Sequence, residues 1–583
     1  MNDKLVNSRF NKAPSIVSGK RRTRFDLGGT SRFTCKTGDF VPFYCKEVLP
    51  DDTWDINSVT LTRLETSVHQ TMDNASLELG FFYVPNRIVQ TDWDKLLGAN
   101  DDPWARQVEV STPQIKLYGK SDTSFHDILP QSLLNYLCCP AATYPAYDDV
   151  SSLGDDIADY EITALPLRAC FQIYNDWFRD ENVDSVVYFD KGNNDIYMDD
   201  YFMFDGEEFI PRAETLKVNR FHDRYSSALP APQKGNAVGF SVGGEVPVIA
   251  GTTMTALGGN LKLHAQTSGG TDVLPADSDH YFNLIALKDS DGKNNDMGVR
   301  SYNNAVNSDA YRIDATNLKA DLSKATAITV NDLRLAIAAQ VLSEQEARGG
   351  TRLTEVLFTQ WNISAPSLML DRSEYLGGRR IPIQMLEVIQ TSQTTNTAVL
   401  GEDAGHSKTF DANSGSFLKS FMFHGYIIGV AFIRTARSYS QGIDRQFYRK
   451  GKYTYYNPIF DNIGEVPIKK SELYILDMSH SGEVFGYQEA WYEYKEGLNR
   501  DSGYMQPAIN GTLSSWHYGD DYDEAPVLSD TWLKEGAERV DRTIAVSSEI
   551  SGFQWSCFFN IEAYATRLMN KYSVPNSFGF GNR

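Results

Sequence analysis

The chain has 583 residues, 41% of them hydrophobic, 22% charged and 12% aromatic, which allows a sizeable core and two to four domains or one large β-rich domain with insertions. A net charge of −21 excludes a protein that seeks nucleic acid or anionic membrane with its whole surface. The longest apolar run, Tyr426 to Ile433, is far shorter than the roughly 20 residues of a membrane helix.

The charge is uneven. Residues 1–24 carry Lys4, Arg9, Lys12, Lys20, Arg21, Arg22 and Arg24 against Asp3, a local +6 that leaves −27 for the remainder. No apolar stretch of a secretory signal follows this basic start, so a protein made in a reducing cytoplasm is expected. An arm of 24 residues reaches about 80 Å when extended and binds phosphates through charge; Lys20, Arg21, Arg22 and Arg24 are the candidate nucleic-acid contacts.

Strand patterns begin at residue 33. Successive side chains of a strand face opposite ways, and SLELGFFYV (76–84), SFMFHGYIIGVAFI (420–433), VFGYQEAWYEY (484–494) and GFQWSCFFNIEAYA (552–565) fit strands. In the last, Phe553, Trp555, Cys557, Phe559 and Ile561 share one face. Helices are fewer. LRACFQIYNDWFRDE (167–181) places Phe171, Tyr174 and Phe178 on one side. TVNDLRLAIAAQVLSEQEARGG (329–350) opens with Thr329 and Asp332 as a capping box, repeats Leu333, Ile337 and Val341, and stops at Gly349 and Gly350. Both helices are expected to pack on a sheet. Between them the texture changes: residues 236–318 hold ten of the 43 glycines, no tryptophan and no cysteine, which fits a surface insertion with short strands such as 260–264 and 280–287.

Motifs of catalysis are sparse. SGKRRTR lacks the first glycine of a phosphate loop, and no HExxH is present. The six cysteines (35, 45, 138, 139, 170, 557) and nine histidines show no zinc-ligand spacing, and DSDGKNND (289–296) places its glycine too early for a calcium loop. Neither a metal nor a cofactor is expected, and no catalytic residue is assigned. The alternative is a jelly-roll carbohydrate-binding protein or glycosidase built on Trp491 and Tyr492 with Glu483, Glu489, Glu493 and Glu496, of which Glu489 and Glu493 share one face.

Seven blocks in order resemble the major capsid proteins of gokushoviruses, small bacteriophages of the Microviridae. They are residues 22–54 (from RTRFDLGGT), 72–89 (MDNASLELGFFYVPNRIV), 165–183 (LPLRACFQIYNDWFRDENV), 222–235 (HDRYSSALPAPQKG), 344–378 (from EQEARGGTRLTEVLF), 484–494 and 513–522 (LSSWHYGDDY). Ala231 and Ala490 depart from a tryptophan and an arginine common in that family. The resemblance implies a mainly β fold, the viral jelly roll: an eight-stranded antiparallel β-barrel with long loop insertions carrying a few helices. Its parts would be a basic arm (1–32), a first core part (33–235), a surface insertion protruding at the threefold axes (236–318) and a second core part (319–583). It further implies no enzyme but a T=1 icosahedral shell of this chain in the virion, assembled in the host bacterial cytoplasm around a circular single-stranded DNA genome. The implied partners are the chain itself, that DNA, small DNA-binding and pilot or minor phage proteins, an internal scaffolding protein, and a host surface receptor met by the insertion.

Overall fold

The computed structural model describes residues 22–98, 110–141, 160–235, 344–383 and 408–571, apart from short breaks within these spans, together with the strands of 248–320 and a helix from Val330. Two compact units divide the chain: residues 1–234 with 344–583, and residues 235–343.

Strands dominate the larger unit and pair antiparallel into two main sheets. The strands of these two sheets, with β10 and β11 of a separate two-stranded sheet, are in chain order β1 (Arg22–Asp26), β2 (Gly29–Cys35), β3 (Val41–Val48), β4 (Thr53–Leu64), β5 (Ala75–Pro85), β6 (Glu374–Ile383), β7 (Lys408–Asp411), β8 (Ser416–Ser420), β9 (Gly425–Thr435), β10 (Glu465–Lys469), β11 (Val484–Glu489) and β12 (Trp555–Leu568). In the first sheet β12 is flanked by β4 on one side and by β1 and β2 end to end on the other. The outer edge of β4 carries β7 and β8 end to end, so the six strands fill four lanes. The second sheet has the order β6-β5-β9-β3.

The alternation in β12 is the cause of its place: Trp555, Cys557, Phe559, Ile561, Ala563 and Ala565 are all buried, while the residues between them face outward. They meet the second sheet across a shared core, where Phe43 stands edge-on to Phe559 at 4.7 Å and Phe81 lies 5.6 Å from Phe417. The second sheet is covered on its other face as well. There Phe82, Val84, Ile428, Val430 and Phe432 pack with helix α1 (Leu165–Trp177). Burial on both faces is why β9 reads as an unbroken apolar run and not as an alternating strand.

Two expectations change. No pairing joins the two sheets among the described residues, so they form an open sandwich and not a closed eight-stranded barrel. Helix α1 packs on a sheet, with Phe171 and Tyr174 fully buried. The later helix, α2 (Val330–Arg348), forms, but Leu333, Ile337 and Val341 are exposed, so among the described residues no sheet covers its apolar stripe. A third helix, α3 (Leu353–Trp361), exposes Phe358 and Trp361.

In the smaller unit Tyr281–Lys288 and Asn294–Tyr302 form a hairpin within a five-stranded antiparallel sheet. The expected strand at 260–264 lies almost wholly outside the described residues, as does the acidic half of 289–296.

Candidate nucleic-acid and assembly surfaces

The sequence places Arg22 and Arg24 in a basic arm, whereas both stand in β1 at the edge of the first sheet; Lys20 and Arg21 lie outside the described residues. Hydrogen bonding to the end of β12 fixes this edge, and side chains of one parity then project outward. Arg22 donates to the Asp51 carbonyl at 2.5 Å and to Thr53 Oγ1 at 2.9 Å, 3.6 Å from the Asp51 carboxylate. Arg24 lies 3.4 Å from the Asp55 carboxylate and 4.0 Å over the Tyr564 ring. Both guanidinium groups are exposed, and a neighbouring acid offsets part of the charge of each.

The same outward face carries a row that only strand pairing creates. Arg32, Phe558, Leu61 and Phe410 are successive cross-strand partners across all four lanes. Arg32 sits 5.5 Å over the Phe558 ring, and Phe410 is exposed. Beside the row is a cleft of about 820 Å³ lined by Arg32, Arg63, Gln131, Tyr136 and Phe558. Cations interleaved with rings are what a single-stranded nucleic-acid groove uses. Sequence reasoning missed Arg32, Arg63 and Phe558, since more than 490 positions separate the first two from the third.

The aromatic segment 484–494 is a strand followed by a turn. β11 pairs with β10, and Trp491 then takes φ 67°, a left-handed backbone rare for a bulky residue. The turn breaks the common face expected of the two glutamates. Glu489 is 47% exposed and bonds Lys495 at 2.9 Å, whereas Glu493 is 4% exposed and bonds Arg449 at 2.7 Å. Glu483 is held by Lys470 at 2.7 Å. Phe485 fills a local core with Trp532, and the buried Tyr492 hydroxyl donates to Glu472 at 2.6 Å. Burial raises the Glu472 carboxyl, against the pull of Tyr492 and Arg445. A cation thus holds each of Glu483, Glu489 and Glu493 separately, unlike the opposed carboxylate pair of a glycosidase.

A buried ionic cluster ties the long connection between β9 and β12 to the sandwich. Arg437 donates to Asp520 at 2.7 Å and to Glu535 at 3.1 Å; Arg539 reaches Asp520 at 3.2 Å and also bonds Glu535; Arg220 lies 3.5 Å from Asp520. Tyr522 and Thr435 add hydroxyl donors to Asp520 and Glu535 at 2.7 and 2.8 Å. Burial opposes ionisation of Asp520, but Arg437, Arg539 and Arg220 outweigh it and hold the carboxyl well below its usual range. Cys35, Cys170 and Cys557 are buried free thiols, and among the described residues no three His, Cys, Asp or Glu side chains converge as a metal site would need.

Comparison with known proteins adds the following. The family model described as capsid protein (F protein) matches residues 15–577. The chain is 30% identical over 583 residues to capsid protein VP1 of Bdellovibrio phage phiMH2K, with 98% of each chain covered. It is 31% identical to capsid protein VP1 of Spiroplasma virus 4 over 92% of each chain, and 28% identical to that of Chlamydia phage 1 over 98% of each.

Proposed function

The chain belongs to the F-protein family of phage capsid proteins, with gokushoviruses of the Microviridae among its relatives, and we propose that its copies close into a T=1 icosahedral shell around a circular single-stranded DNA genome. The observation that carries self-assembly is apolar surface left open by a single copy: Leu335, Ile337 and Val341 on α2, and Phe358 and Trp361 on α3, are each 48% exposed or more. Monomeric proteins rarely leave such surface in water, and a closed shell engages many modest contacts at once.

The sandwich is read as the viral jelly roll. Numbered along the chain, its eight lanes run 1-8-3-6 in the first sheet and 5-4-7-2 in the second, an order that supports a double-sheet roll with its edges kept short. The basic N-terminal segment, with Lys20, Arg21, Arg22 and Arg24, faces the genome in this reading. Residues 236–318 protrude at the threefold axes and meet a host receptor. Assembly takes place in the host cytoplasm with scaffolding, pilot and small DNA-binding proteins.

Deleting residues 1–21 is expected to lower the DNA content of purified particles while particles still form; full DNA content in those particles removes the role of the arm. Exchanging residues 236–318 for those of a relative with another host is expected to shift adsorption between hosts, and unchanged adsorption removes that assignment.

A further inference from the structure

Residues 445–460 read RQFYRKGKYTYYNPIF, with Arg445, Arg449, Lys450 and Lys452 and no acid, in a chain of net charge −21. Three short 3-10 turns, Arg445–Tyr448, Lys452–Thr454 and Pro458–Phe460, shape this lobe and are too brief to bury what they carry. Phe447, Tyr453, Tyr455 and Tyr456 are accordingly 62, 76, 54 and 44% exposed beside the exposed Lys450 and Lys452. At its base lies a pocket of about 330 Å³ lined by Arg445, Tyr448, Arg449, Tyr453, Trp491 and Glu493. The Trp491 indole is fixed by donating to the Phe460 carbonyl at 2.8 Å, and Tyr456 stands edge-on to it at 5.6 Å.

A second, independent feature points to a ligand. Glu493 lines the pocket with its side chain 4% exposed; one oxygen accepts from Arg449, and the other, Oε2, is buried with no hydrogen-bond partner among the described residues. A buried carboxylate oxygen left without a donor is costly, and a ligand that supplies an N–H satisfies it.

Resting on the reading of the chain as the coat of a single-stranded DNA genome, we propose that this lobe and its pocket bind single-stranded DNA. Lys450 and Lys452 meet phosphates, Tyr453 and Trp491 meet the face of a base, and Glu493 accepts from that base's amino group. Rings with cations suit a single strand, whose base faces are open, and not a duplex. Cytosine offers Glu493 an exocyclic amino group, whereas the one N–H on thymine's pairing edge, at N3, lies between two carbonyl oxygens that a carboxylate repels, so cytosine is preferred over thymine.

The test uses the purified full-length chain with fluorescent oligonucleotides of about 20 nucleotides, oligo-dC and oligo-dT, a duplex of the same length, and heparin as a polyanion without bases. Binding of oligo-dC is expected to exceed that of oligo-dT and duplex. Tyr453→Ala is expected to weaken oligo-dC binding at least about fivefold, the lower end of the loss of one stacked base. The double variant Lys450→Gln/Lys452→Gln is expected to lower the magnitude of the salt slope by about 1.4, as two lost phosphate contacts would. Glu493→Gln is expected to erase the preference for cytosine, at an unchanged melting temperature for the two surface variants.

Equal binding of heparin and DNA that ignores Tyr453→Ala overturns the proposal in favour of charge alone. Loss of self-association in the lobe variants with DNA binding intact overturns it in favour of a contact with a second copy. Wild-type particles without DNA remove the underlying reading, whereas DNA-filled wild-type particles and unaltered binding by the lobe variants remove this inference alone.

Discussion

Asp520 shows what a single residue does in this protein. It accepts from Arg437 and Tyr522, forms an ion pair with Arg539 and lies near Arg220, all in the buried region between the sandwich and the connection that follows β9. Asp520→Asn leaves Glu535 as the one carboxylate of the cluster facing three buried arginines and is expected to cost about 3–5 kcal/mol, read by urea unfolding near neutral pH. The sign with pH follows from the lowered carboxyl: its contribution is full above the unfolded value of about 3.9 and is lost as pH falls towards the folded value. The gap between wild type and variant therefore closes below about pH 4, and a gap constant from pH 7 to pH 3 contradicts this account. None of this was legible in the sequence. Arg437 lies 83 positions before Asp520 and Arg220 lies in an earlier connection, and no local pattern marks an acid that will meet these arginines only after folding.

Among the elements, β12 was legible and its neighbours were less so. A period of two over the eleven residues 555–565 leaves one choice of buried face, and β12 takes it. Phe559→Ala, which empties the contact with Phe33 and Phe43, is expected to cost about 3–5 kcal/mol, while Phe558→Ala on the outward face costs under about 1 kcal/mol. Equal losses by thermal or urea unfolding contradict the assigned face. Helix α2 was legible in its ends and misread in its surroundings, because an apolar stripe says that something covers it and not that the same chain does. The shared face of Glu489 and Glu493 failed for a backbone reason, the left-handed turn at Trp491, which no propensity of tryptophan announces. The row Arg32, Phe558, Leu61 and Phe410 was invisible for a related reason, since register is a property of pairing.

For the molecule as a whole, the collinear blocks carried the family, and the strand-rich character followed from composition and alternation. Barrel closure did not follow, because the pattern within each strand is the same whether sheet edges join or stay apart. The central claim is that many copies of this chain, with the apolar surfaces of α2 and α3 and the cation-rich outer face of the first sheet, assemble into a closed coat. Electron microscopy of particles formed by the expressed chain tests it most directly. The expected result is isometric shells of roughly 25 to 30 nm with about sixty copies, a size that follows from compact subunits of this length. Dispersed single subunits under every assembly condition, with no shells in phage preparations that contain the chain, would contradict it.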